Sequence, residues 1–187
     1  MKRKYHKGEF EYLKEKKKWE LLKTLALFGI SGLIFIMGYL STKTKSNYLT
    51  IVAVLGCLPA SKSMVSLIMY WKIKECEQAL RKEIEAAVGK AGSFHLYFTT
   101  YDKNFSVSHL FINAKTIVAY TQQEKTEEAA FEEHIKTVLK RDGITGYSVK
   151  LFKDKEKYLQ RIQQLTELET EVNKDQNVVN TLYAVSL

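Results

Sequence analysis

At 187 residues the chain has room for one domain and a small anchor, so a second independent domain is not expected. Its formal charge of +8 and pI near 9.3 would suit a nucleic-acid binder only if the excess lay on a folded surface. Met1–Trp71 holds 12 Lys and Arg against 4 Glu, whereas Lys72–Leu187 holds 17 Lys and Arg against 17 Asp and Glu; the excess sits with the apolar runs, and no nucleic-acid partner is expected.

Residues 1–23 read as a basic interfacial helix on the cytoplasmic side. Glu9–Lys23 has helix-forming composition, with Phe10, Leu13 and Trp19 available to lie on a membrane surface. Its lysines would meet anionic headgroups, each contributing roughly 1 kcal/mol.

Residues 24–71 read as a two-helix transmembrane hairpin. Thr24–Thr42 is a stretch of nineteen residues without a charge, and about 20 apolar residues cross a bilayer core. Its length, and the long basic segment before it, exclude a secretory signal peptide. Gly29, Gly32 and Gly38 with Ala26 offer a close-packing face. A short polar link leads to a second run, Tyr48–Trp71. Nine basic residues lie within positions 2–23, Lys43 and Lys45 in the link, and Lys72, Lys74, Arg81 and Lys82 after the second run. That bias predicts both flanks inside and the link outside the cell membrane.

Lys62 interrupts the second run, where a charge at the centre of a span costs about 2.5–3.5 kcal/mol on insertion scales. Pro59 has no N–H and frees the Leu55 carbonyl, so a kinked helix facing an inter-helix contact is expected, with Lys62 satisfied by carbonyls, hydroxyls and water; an assembly contact, and then a transport or binding role, are the alternatives. The lipid bilayer is the first partner, an unidentified protein the second, and an oligomer fits an assembly role for Lys62. Cys57 and Cys76 do not form a spaced disulfide set and suit a reducing compartment.

Residues 72–187 read as a cytoplasmic α+β domain. Ile73, Cys76, Leu80, Ile84 and Val88 fall near helical spacing, which predicts that the second span runs into a helix ended by GKAG (89–92). Phe94–Tyr101, Phe105–Asn113 and Thr116–Thr121 are aromatic and β-branched, joined by short turns as an antiparallel meander. Glu124–Arg141 is an amphipathic helix, Gly146–Phe152 a fourth strand, and Asp154 an N-cap for a helix carrying Tyr158, Ile162 and Leu165. Val178–Leu187 fits a short helix, with a strand as the alternative. The order is α-β-β-β-α-β-α.

That order resembles the core of the PD-(D/E)xK nuclease family over roughly Ile73–Phe152. The resemblance implies an acid near the second strand and an acid-x-lysine on the third, because two carboxylates hold Mg²⁺. Asp102 can take the first position, but the third strand, TIVAYTQQ, has no acid-x-lysine. The pair Glu124–Lys125 is adjacent and follows the strand. The whole chain, through TKTKSNYLTIVAVLGCLPASKS (42–63), also resembles the short bacterial two-span membrane proteins, a group with no assigned activity to transfer.

No catalytic constellation, phosphate loop or metal-spaced histidine pair is present in the sequence, so no catalytic residue, metal or cofactor is expected. On strict alternation His95 lies opposite Phe94, Leu96 and Phe98. Asp102, His109 and His134 are the residues that a ligand face would use, and Tyr97, Tyr101, Phe105, Phe111 and Tyr120 make the meander a possible binding surface. The function expected is a membrane-tethered interaction or scaffold protein. A membrane-anchored nuclease-like enzyme or transferase, and an accessory subunit of a membrane complex, are the alternatives.

Overall fold

The computed structural model describes residues 6–44, 47–89, 91–168 and 172–187. Lys2, Arg3, Lys4 and Lys45 of the charge count, and Lys90 of GKAG, lie outside them. The chain divides into two compact units, residues 13–72 and residues 1–12 with 73–187.

The first unit is a helical hairpin of α1 (Tyr12–Thr42) and α2 (Tyr48–Lys72). Both helices are long and apolar enough to cross a membrane, and only 17% and 22% of their most apolar stretches are buried. A core helix of a soluble protein hides that surface; here Leu25, Phe35, Leu40, Ile51 and Leu58 are all exposed. The residues that do meet are mostly small or polar and recur every three or four positions. On α1 the seam is Glu20, Thr24, Leu27, Ser31, Ile34 and Gly38; on α2 it is Ala53, Gly56, Ala60, Ser63, Leu67 and Tyr70. This is the spacing of a left-handed antiparallel pair, and small side chains let the backbones approach. A Cβ on Gly56 would stand 2.7 Å from Ser31 Oγ, and one on Gly38 2.7 Å from Leu49 Cβ. Gly29 and Gly32, expected on this face, have nothing within 4 Å of such a Cβ. At the link, Asn47 Oδ1 accepts from Thr50 N–H at 2.8 Å and Nδ2 donates to Gly38 O at 3.0 Å, so one side chain caps both helices.

The second unit is a mixed four-stranded sheet between two helical layers, with the α-β-β-β-α-β-α order read from the sequence. β1 (Ser93–Thr99), β2 (Asn104–Asn113) and β3 (Thr116–Tyr120) form the antiparallel meander, and β4 (Ser148–Phe152) lies parallel to β3 after the crossover helix α4 (Glu128–Arg141). α3 (Gln78–Val88) and α5 (Lys155–Thr166) cover one face through Leu80, Ile84, Tyr158 and Ile162. α4 and α6 (Val172–Val185) cover the other through Phe131, Ile135, Val178 and Leu182. The last segment is therefore helical as far as Val185. Asp154 caps α5 as its sequence predicts, accepting from Glu156 N–H and Lys157 N–H.

Three details differ from the sequence reading. α2 stops at Lys72 and α3 begins at Gln78; the residues between leave helical geometry so that Cys76 N–H can donate to His95 Nε2 at 2.9 Å. α4 begins at Glu128 rather than Glu124. Phe10, expected on a membrane surface, is buried in the α3/α5 layer, edge-on to Phe94 at 5.6 Å with the Arg81 guanidinium 4.6 Å from its ring.

Phe10 belongs to a strap that ties the start of the chain to its end. Phe94 N–H donates to Gly8 O at 2.7 Å, and Leu187 N–H donates to Tyr97 O at 2.9 Å, so both termini cover the outer rim of β1. Lys7 Nζ donates to Tyr183 O at 2.6 Å and also to Ser186 O, at the negative end of the α6 dipole. Gly8, at φ 91, is required there because a Cβ would run into Tyr183 Oη.

Candidate functional site

The polar residues that penetrate the domain core gather on the α3/α5 face, and a break in strand alternation puts them there. His95 has φ 55, and the β1–β2 ladder passes from Phe94↔His109 to Leu96↔Val107. A left-handed non-glycine residue costs about 1–2 kcal/mol, and histidine tolerates it better than most. The twist puts Phe94 on the α3/α5 face while Leu96 and Phe98 stay on the α4/α6 face. The expectation that these three share one face is thereby corrected.

His109 lies at the centre of the group. Its ring is 4.4 Å from Phe94, and Nδ1 is 2.6 Å from Tyr158 Oη. Nε2 lies beside the Ala91 carbonyl without reaching good hydrogen-bond geometry. Burial pushes the imidazole pKa down to about 3; the Ala91 carbonyl opposes this and nearby His95 adds to it. The ring is thus neutral, and Tyr158 O–H donates to Nδ1. Gly92, at φ 96, makes room for it, since a Cβ there would strike Nε2. The second glycine of GKAG is a close-approach residue as well as part of a helix stop.

The neighbours are equally uncharged. Burial, then the coulombic effect of Cys76, holds Tyr158 well above the ordinary phenol range. Burial, then Glu77, raises the Cys76 thiol to about 11. A neutral imidazole, a phenol and a protonated thiol supply neither nucleophile nor charged acid at neutral pH. What the group does is satisfy polar atoms between two hydrophobic layers. Cys76 is inside this core, yet among the described residues no three His, Cys, Asp or Glu converge as metal ligands.

The three residues named for a ligand face are not brought together. Asp102 is exposed in the β1–β2 turn, His109 is buried under α5, and His134 is half-buried on α4, stacked at 5.9 Å on Phe105. The sheet separates the two histidines. Burial and then Arg141 lower the His134 pKa. Of the meander aromatics only Tyr101 is exposed; Tyr97, Phe105, Phe111 and Tyr120 are core. A hollow of about 540 Å³ opens beside α6, with Val88, Gly92, Ile112, Val179 and Tyr183 among its walls.

In the hairpin, Pro59 and Lys62 are both exposed on the outer face of α2, which stays helical through the proline. Ser63, not Lys62, faces α1: its hydroxyl lies 3.0 Å from Thr24 Oγ1 and 3.4 Å from Glu20 Oε2. Glu20 is buried there between Lys16 at 3.7 Å and Lys23 at 3.5 Å. A pattern on one helix does not show this carboxylate, because its burial depends on the opposing helix. No protein-family model, curated protein or solved structure matches the chain.

Proposed function

We propose that the chain is a membrane-tethered interaction protein of a bacterial cell, whose hairpin crosses the bilayer and whose α+β domain holds a cytoplasmic protein partner beside it. The observation that carries this reading is the packing of Phe10: residues before the hairpin share a core with residues after it, so the two flanks belong on one side of any membrane the hairpin crosses. The lysine bias of those flanks argues for the cytoplasmic side. A partner role is favoured over catalysis because the polar core residues are neutral and the surface candidates stand apart. The hollow beside α6 is the concave surface proposed for the partner.

The αβββαβ order favours a membrane-anchored nuclease-like enzyme as the second reading, although β3 lacks the acid-x-lysine. A subunit role in a larger membrane complex would use Lys62 and Pro59 on the outer face of α2. The test is labelling of single cysteines in a Cys57→Ser/Cys76→Ala background. An impermeant thiol reagent should reach Thr44→Cys in intact cells and Thr145→Cys only after lysis. The reverse pattern would defeat the topology. Turnover of a nucleotide, sugar or nucleic acid by purified protein that holds no partner would defeat the interaction role.

A further inference from the structure

The contacts across the hairpin fix a register. Gly38 meets Leu49, Ser31 meets Gly56, and Thr24 meets Ser63. Tyr39 of α1 is therefore level with Tyr48 of α2, and Thr24, where the uncharged run begins, with Ser63. Nineteen helical residues measure about 28 Å, the thickness of a bilayer core. Lys62, next to Ser63, is level with the Thr24 end of that run, and not at its middle.

Beyond that level the hairpin does not become polar on its outside. Met64, Val65, Ile68 and Trp71 on α2 and Trp19 and Leu22 on α1 remain exposed, the two tryptophans at 66% and 63%. Around them, positions 14–23 with Lys62 and Lys72 supply seven lysines against two glutamates. One of those glutamates, Glu20, is turned into the seam, where it pairs with Lys16 and Lys23. Lys18, Lys62 and Lys72 make no ion pair among the described residues. Large apolar groups interleaved with outward lysines form the surface that lies at a headgroup boundary, rings inserted and ammonium groups on phosphates.

We infer that this collar, residues 14–23 of α1 with 62–72 of α2, binds anionic lipid headgroups, and that the hydrocarbon edge crosses α2 at Lys62. The inference rests on the proposed membrane insertion. Lipid is preferred over a protein partner because the exposed apolar surface of the spans continues into the collar without a polar gap. Whatever solvates the one solvates the other.

The full-length chain in lipid nanodiscs tests it. Trp19 and Trp71 are the protein's two tryptophans, so Trp19→Phe leaves Trp71 as sole reporter, and Trp71→Phe leaves Trp19. Lipids brominated near the carbonyls should quench each several-fold more than lipids brominated at the chain ends. In native mass spectrometry from mixed phosphatidylglycerol and phosphatidylcholine, the anionic lipid should be retained several-fold over the neutral one. Lys18→Gln/Lys62→Gln/Lys72→Gln should abolish that preference, and the matching triple Arg variant should keep it. Stronger quenching of Trp71 from the chain ends, shielding of both tryptophans by a co-purified protein, or an unchanged preference in the Gln variant would overturn the inference. Recovery of the chain from the soluble fraction without detergent would instead defeat the membrane reading beneath it.

Discussion

The two units of this protein use opposite rules for the same kind of residue. In the hairpin most large apolar side chains point outward and Gly, Ala, Ser and Thr make much of the contact, whereas in the α+β domain Phe, Leu and Ile are buried on both sides of the sheet and polar residues are mostly left outside. The difference is the one expected if the hairpin is solvated by lipid, as proposed, and the domain by water. A domain gains from removing apolar surface from water. A helix pair in lipid has no such gain and relies on close backbone approach.

The sharpest way to test the contrast is at the residue that sequence assigns to one unit and structure to the other. Phe10→Ala removes a buried ring from the α3/α5 layer and should destabilise the domain by about 3–5 kcal/mol, measured as the shift in denaturant midpoint of domain unfolding in detergent. If Phe10 were a membrane-surface residue, that midpoint would stay put and only lipid binding would fall.

A second test uses the buried imidazole. His109 titrates near its ordinary value of 6.5 when unfolded and at about 3 when folded. The unfolded chain thus takes up the proton first, and stability is fully present above pH 6.5 and lost as pH falls from there toward 3. The slope is about 1.4 kcal/mol per pH unit, roughly 2–3 kcal/mol by pH 4.5. His109→Gln should flatten the acid limb of domain stability by that amount; an identical limb in both proteins would show that the ring is not held neutral.

The smallest effect belongs to the hairpin seam. Gly56→Val forces side chain into the space filled by Ser31 Oγ, and overpacking of this kind costs about 1–3 kcal/mol. Cross-linking between Thr24→Cys and Ser63→Cys should slow in that background, with domain unfolding unchanged.

Much of this architecture was legible in sequence because it is written in runs and periods. The two apolar stretches, the meander and the Asp154 cap each depend on residues close together in the chain. What was not legible depends on partners far away. Ile73, Cys76 and Leu80 are buried whether or not a helix connects them, so their spacing could not reveal the break at residues 73–77. Nothing local marks His95 as left-handed, and with that twist missed, strand alternation put Phe94 on the wrong face. Lys62 looked central because the length of α2 was counted from its own ends, while its depth follows from Thr24 on the other helix. An aromatic among lysines, such as Phe10, reads equally well as a lipid contact. The His109–Tyr158 pair joins residues 49 positions apart, and neither residue type signals the other.

The strap also has a meaning in time. Lys7, Gly8 and Phe10 leave the ribosome before the hairpin does, yet Lys7 waits for a carbonyl 179 positions downstream. During that interval the hairpin between them is already synthesised, while the rim of β1 stays open until Leu187 arrives. A transcript truncated before Ser186 would therefore yield a protein that is anchored but unsealed, with an uncovered strand for proteases or neighbouring chains to find.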